Sequence, residues 1–163
     1  MIEGRVWKYG DHVNTDLIIP GRYLDDYDLR SLAAHVMEDL DPSFSKKVRH
    51  GDVVVAGRNF GCGSSREQAP VALKHAGVSA VVAGSFARIF YRNAINVGLP
   101  VIVCPEAASR LVDGDIVVID VEEGVLVRPS SHTRIEFKPL PGFLLEILSD
   151  GGLVPHMKKR CLK

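Results

Sequence analysis

The chain has 163 residues, enough for one domain with a real hydrophobic core. Hydrophobic residues make up 46% and charged residues 25%, a globular mix that excludes wholesale disorder. Lys+Arg and Asp+Glu both number 20, and a zero formal charge argues against a nucleic-acid partner, which leaves a basic footprint. No apolar run approaches the roughly 18 residues that span a bilayer. Met1-Ile2-Glu3-Gly4-Arg5 also lacks the apolar core of a signal peptide, so a cytoplasmic protein without a membrane partner is expected.

Gly4 to Tyr9 alternates in polarity, which predicts a short strand. The polar stretch Gly10 to Asp16 precedes Leu17-Ile18-Ile19-Pro20, and Gly21 to Asp28 reads as a loop. Leu29, Leu32, Ala33, Val36 and Met37 recur at helical spacing, predicting a helix over residues 29–38 that Asp41-Pro42 ends. Asp52 to Ala56 is a β-branched run of the kind found in strands buried on both faces. A glycine-rich loop and a helix to His75 follow, with Gly77 breaking the helix. Ala80 to Ala83 is the next strand. Ser85 is placed to cap a helix whose shared face carries Phe86, Ile89, Phe90, Asn93, Ala94 and Val97, with Gly98 just past its end.

Pro100 to Cys104 is a third strand, so the middle of the chain reads strand, helix, strand, helix, strand, the pattern of parallel pairing with right-handed crossovers. The last third changes character. Ile116 to Val121, a Glu122-Glu123-Gly124 turn, Val125 to Arg128 and Thr133 to Phe137 read as hairpin strands. Phe143, Leu144, Ile147 and Leu148 mark a short helix stopped by Gly151-Gly152. No linker separates these parts. The expected fold is therefore one α/β domain over residues 1–163, a parallel sheet flanked by helices with added β-hairpins.

Cys62, Cys104 and Cys161 match no zinc or iron–sulfur spacing, and their odd number excludes a complete intrachain disulfide framework. Cys104 lies in an apolar run and reads as a core thiol. Cys161 follows Lys158-Lys159-Arg160, cations that favour the thiolate; an inert terminal thiol and an intermolecular disulfide both remain open.

The chemistry concentrates in Gly57 to Pro70, which leaves the end of a buried strand and enters a helix, where open α/β sheets place ligands. Gly61 and Gly63 let the backbone approach a bound group. The amide groups of the following helix suit an anion, and Arg66 adds a planar bidentate donor for a carboxylate or phosphate. Ser64-x-x-Glu67 and Ser65-x-x-Gln68 are equally capping-box patterns, so these residues alone leave capping and anion binding open. The segment lacks the third glycine and distal acid of a dinucleotide fingerprint, the Gly-Lys-Ser/Thr of a P-loop and the G-x-S-x-G elbow.

Asn59-Phe60-Gly61-Cys62-Gly63-Ser64-Ser65-Arg66-Glu67 resembles the signature of the swivelling C-terminal domain of aconitase and its separate-chain equivalents. Three further segments agree in order: Asp11-x-x-Asn14-Thr15-Asp16-x-Ile18-Ile19-Pro20, Ser85 through Pro100, and Gly151-Gly152-Leu153. The resemblance spans nearly the whole chain and implies a swivelling β/β/α fold, the kind of aconitase's fourth domain. It further implies a hydro-lyase that removes and re-adds water. A [4Fe–4S] cluster would sit on a large partner subunit as a Lewis acid, unligated by this chain.

By position, Ser64 matches the family's catalytic serine, a base whose anionic form needs nearby amides and cations. Ser65 and Arg66 match the substrate-binding pair, and Asp16 matches an active-site aspartate, though by composition it also fits an Asx turn before a strand. Arg88 and Arg92, one turn apart, read as a solvated face or a partner or packing surface. Specificity is expected in the loop holding Arg22, Tyr23, Leu24 and Asp25, followed by Asp26 and Tyr27. The family resemblance associates an arginine after Tyr-Leu with tricarboxylates and an apolar residue there with 2-isopropylmalate. Asp25 departs from both and repels a third carboxylate, so 2-isopropylmalate is favoured, with methylmalate and homocitrate open. A non-catalytic anion-binding module is the reading of a different class, and an isolated small subunit is expected to be able to self-associate.

Overall fold

A computed structural model describes residues 1–25 and 27–162; Asp26, in the expected specificity loop, and Lys163 lie outside the described residues. Among the described residues, seven strands form one sheet in the order β4-β3-β2-β1-β5-β6-β7. Strands β1 (Ile2–Lys8), β2 (Val53–Ala56), β3 (Ala80–Ala83) and β4 (Val101–Val103) pair in parallel, with Val6 opposite Val53, Val53 opposite Ala80 and Val81 opposite Val101. Strands β5 (Ile116–Asp120), β6 (Val125–Arg128) and β7 (Thr133–Glu136) continue the sheet antiparallel, starting from β1 with Ile2 opposite Ile119. The result is a mixed sheet flanked by helices, the expected α/β fold with its added hairpins. Strand β1 joins the two halves, a role its alternation does not announce.

Strands β2 and β3 are buried on both faces, which is why they lack polar alternation. Val54, Ala56, Val81 and Ala83 face one cluster with Trp7 and the helices α1 (Thr15–Ile18), α2 (Leu29–His35), α4 (Gln68–Ala76) and α5 (Arg88–Asn96). Helix α3 (Phe44–Lys47) adds Phe44, whose ring meets Trp7 edge-on at 5.0 Å between centroids. Val53, Val55, Ala80 and Val82 face the other cluster with α6 (Pro105–Arg110) and the inward positions of β5 to β7. Cys104 is buried there, and burial pushes its thiol pKa up, as a core thiol should show.

Asp52 is the buried carboxylate of this framework. It accepts hydrogen bonds from Trp7 Nε1 at 2.9 Å and from the amide groups of Arg49 at 2.9 Å and Arg5 at 3.4 Å, locking the start of β2 to β1. Asp52→Ala leaves the indole N–H without its acceptor and is expected to cost about 2–3 kcal/mol, measured as a lower urea midpoint at unchanged slope.

Several local expectations are corrected. The segment around Asp16 is not an Asx turn before a strand: Asn14 caps α1 by accepting from the Leu17 amide at 2.9 Å, and Asp16 sits in the helical turn. Helix α2 stops at His35, because Met37 takes a left-handed φ of 60° and donates its amide to Ile18 O. Ser85 does not cap α5, whose N-cap is Ala87; Phe86 lies outside that helix and Ile89 is exposed. Phe137 falls just beyond β7. Helices α6 and α8 (Leu153–Cys161) were not anticipated, and Cys161 ends the latter, exposed. No helix among the described residues is long and apolar enough to cross a membrane.

Helix α7 (Gly142–Ser149) meets α8 through Asp150, which pairs with His156 Nδ1 at 2.7 Å and Lys159 Nζ at 3.0 Å. The bond from His156, then that from Lys159, holds the Asp150 carboxyl below its ordinary range. A carboxyl depressed in the folded state stabilises fully above its unfolded pKa and loses that contribution as pH falls through the folded value. The melting temperatures of the wild type and Asp150→Asn are therefore expected to differ at neutral pH and converge on acidification.

Candidate functional site

Three loops leave the carboxyl ends of β1, β2 and β3 and converge. The first two run side by side, tied by His12 N to Arg58 O (2.8 Å), Gly61 N to Val13 O (2.8 Å) and Thr15 N to Cys62 O (2.9 Å). The third is tied to the second by a parallel bridge between Phe60 and Phe86, and the Ser85 hydroxyl accepts from the Asn59 amide at 2.8 Å. Ser85 thus braces the glycine loop.

Gly61 and Gly63 take positive φ, 82° and 96°. Among the described residues, the amide groups of Gly63, Ser64, Ser65 and Arg66 donate no hydrogen bond within the chain. They form a run of open donors of the kind that takes an anion. Helix α4 starts only at Gln68, its N-cap is Glu67, and no side chain caps it. Neither serine therefore serves the capping box that its spacing permits, and both are exposed.

The structure brings Arg66 against Asp16: one guanidinium nitrogen binds Asp16 Oδ1 in a short ion pair and also reaches Ile19 O at 3.4 Å. The Arg66 side chain is only 16% exposed whereas that of Asp16 is 64% exposed, so the aspartate orients a largely enclosed guanidinium. The loop expected from sequence to set specificity abuts this pair. A 3-10 turn over Gly21–Tyr23 places the Gly21 backbone beside Arg66, and Leu24 O accepts from Gln68 Nε2 at 3.4 Å. Tyr23 stacks on His35 with centroids 3.9 Å apart, and Asp25 is exposed.

Arg22 is held elsewhere, bidentate on Asp39 at 2.9 and 3.2 Å with Glu38 at 3.4 Å. Its hydrogen bond holds the Asp39 carboxyl below the ordinary range.

A cavity of about 190 Å³ opens at the glycine loop, between Ser64, Ser65 and Arg66 on one side and Ala87 through Phe90 on the other. Thr15, Arg88 and Ile89 also line it and were not singled out as site residues from sequence. Thr15 lies inside the Asn14-Thr15-Asp16 motif, but a threonine's burial is not spelled by its neighbours. No three His, Cys, Asp or Glu side chains among the described residues converge as a metal-ligand set.

A Gly-Ser-Ser-Arg loop at the carboxyl edge of a parallel sheet, faced by an Asn-Thr-Asp turn, defines an α/β domain of the aconitase type. The chain belongs to that family: the sequence model of the aconitase C-terminal domain matches residues 11–107. Across 157 residues it is 52% identical to the 3-isopropylmalate dehydratase small subunit of Syntrophus aciditrophicus, covering 96% of each chain. It is 58% identical over 159 residues to the methanogen homoaconitase small subunit of Methanothermobacter thermautotrophicus, covering 98% of this chain and 92% of that one. The crystal structure of 3-isopropylmalate dehydratase from Methanocaldococcus jannaschii superposes with a TM-score of 0.94 at 53% identity, covering 99% and 95% of the two chains.

Proposed function

We propose that this chain is the small subunit of a cytoplasmic hydro-lyase that interconverts 2-isopropylmalate and 3-isopropylmalate through isopropylmaleate, in leucine biosynthesis. It forms, as a single domain over residues 1–163, half of an active site completed by a large subunit. The observation that carries this reading is the glycine loop itself. Ser64 stands beside a run of open amides, uncommitted to any cap, with Arg66 set beside it by Asp16. Ser64 Oγ, as the alkoxide, takes the proton from the carbon next to a carboxylate. The released electron pair forms the carbon–carbon double bond as the hydroxyl leaves the neighbouring carbon. Re-addition of that hydroxide to the other carbon, with return of the proton from Ser64 Oγ to the carbon that first carried the hydroxyl, completes the isomerisation and restores the alkoxide.

The amides and Arg66 lower the cost of the serine anion, as pre-organised donors do for developing charge. Ser65 and Arg66 take a substrate carboxylate, and Asp16 acts beside them. The relation to the aconitase family carries the expectation of a [4Fe–4S] cluster, which this reading places on the large subunit.

Tyr23, Leu24 and Asp25 border the substrate, whereas Arg22 would join them only by leaving Asp39. The 58% identity to a homoaconitase small subunit favours homocitrate as the second reading. Asp25 opposes it, because a carboxylate there repels a third substrate carboxylate. With the two subunits assembled, 2-isopropylmalate is expected to be the preferred substrate over methylmalate and homocitrate. Asp25→Arg is expected to raise turnover of homocitrate by about tenfold or more, as a new ion pair in a partly enclosed site would. Robust homocitrate turnover by the unaltered chain would move the assignment to the tricarboxylate.

A further inference from the structure

We propose that the N-terminus of α5, with Arg88 and the Thr15 hydroxyl, forms a second carboxylate seat in the cavity, separate from the Arg66 guanidinium. The inference rests on the hydroxy-acid reading above, since a substrate with two carboxylates requires two seats. Ala87 to Phe90, which wall one side of the cavity, are the N-cap and first three residues of α5. The first amides of a helix have no acceptor within it. Alanine at the N-cap supplies none, and the nearby Ser85 hydroxyl is spent on Asn59. The positive end of a nine-residue helix therefore opens onto the cavity with its donors free.

The charge pattern points the same way. Helix α5 contains no acidic residue and places Arg88 in its first position, where a cation opposes the helix dipole unless an anion is bound nearby. Arg88 makes no ion pair or hydrogen bond through its side chain among the described residues, and no acidic side chain lines the cavity. Arg66, by contrast, is already paired with Asp16. A second observation comes from the opposite wall. Thr15 is 2% exposed, and its Oγ1 is the one buried side-chain polar atom without a hydrogen-bond partner among the described residues. A buried hydroxyl without a partner is costly, and Thr15 lines this cavity. The cavity's 190 Å³ suits the carboxylate end of a small acid, smaller than the pockets that take larger ligands.

Malonate titrated into the full-length chain is expected to move the amide NMR signals of Arg88, Ile89 and Phe90. Thr15→Val, which keeps the side-chain shape, and Arg88→Gln are each expected to weaken malonate about tenfold or more, the usual effect of losing a hydrogen bond to a charged group. Arg92→Gln, one turn along the same helix, should leave malonate affinity unchanged, and Thr15→Ser should restore it. In the assembled enzyme, Arg88→Gln is expected to raise KM more than it lowers kcat.

Malonate that moves no signals, or moves only those of residues 64–67, overturns the seat, as does an Arg88→Gln variant that binds malonate like Arg92→Gln. The underlying reading fails differently: full turnover by Ser64→Ala would remove the catalytic assignment while leaving the malonate titration as it was.

Discussion

Ser64→Ala is expected to lower kcat on the order of 10³-fold while leaving subunit assembly and melting temperature unchanged. The first half follows from the role of a proton-abstracting group, whose removal costs about 10²–10⁴ in rate. The second follows from the local structure. Ser64 is exposed, and α4 begins three residues beyond Ser65 with no side-chain cap. If the serine were instead a helix cap, its loss would cost about 1 kcal/mol of stability and turnover would survive. Paired measurements of kcat and thermal unfolding on the one variant therefore separate a catalytic serine from a structural one. They also separate an enzyme from a binding module that has kept the fold.

Gly61→Ala is expected to destabilise the chain by about 3 kcal/mol and to abolish turnover. Two costs add. The backbone at Gly61 has φ 82°, where a side chain is strained by about 1–2 kcal/mol. A Cβ there would also lie 2.7 Å from Phe90 Cδ2 and closer still to Phe90 Cγ and Cβ. Phe90 cannot retreat: it is buried and meets Phe60 edge-on at 5.2 Å. Overpacking of this kind adds about 1–3 kcal/mol. Because Gly61 N also donates to Val13 O, relief of the clash would separate the glycine loop from the Asn-Thr-Asp turn and carry Arg66 away from Asp16. Urea unfolding checks the stability cost, and the assembled enzyme checks the loss of rate. A variant as stable as the parent would mean that the loop is not held against α5 as described.

Much of this architecture was legible in the sequence, for a physical reason. Strands β2 and β3 are buried on both faces and β4 is buried up to Val103, so they read as unbroken apolar runs, and the glycines between them mark where the chain turns. The Gly-Ser-Ser-Arg segment was equally visible. Whether its serines cap the helix was decided only by where α4 starts, since capping depends on a helix boundary that spacing leaves free by several residues.

What sequence missed depends on long-range contact. Ser85 has the right composition for a cap, yet tertiary structure spends its hydroxyl on Asn59, 26 residues away. Ile89 fits the helical apolar face by period but lies at the cavity mouth, 54% exposed. Arg22 stands next to Tyr23 in the expected specificity loop, but its guanidinium is taken by Asp39, 17 residues along. Strand β1 pairs in parallel on one side and antiparallel on the other, and nothing within its seven residues announces both.

On the function proposed above, this chain holds the proton-abstracting half of a divided active site. Anaerobic titration of this chain into the large subunit, with 2-isopropylmalate present and the ultraviolet absorbance of the unsaturated intermediate followed, tests this directly. No turnover by either subunit alone is expected, with activity that rises with added chain to a stoichiometric plateau. Turnover by the large subunit alone, undiminished when this chain is withheld, would contradict it.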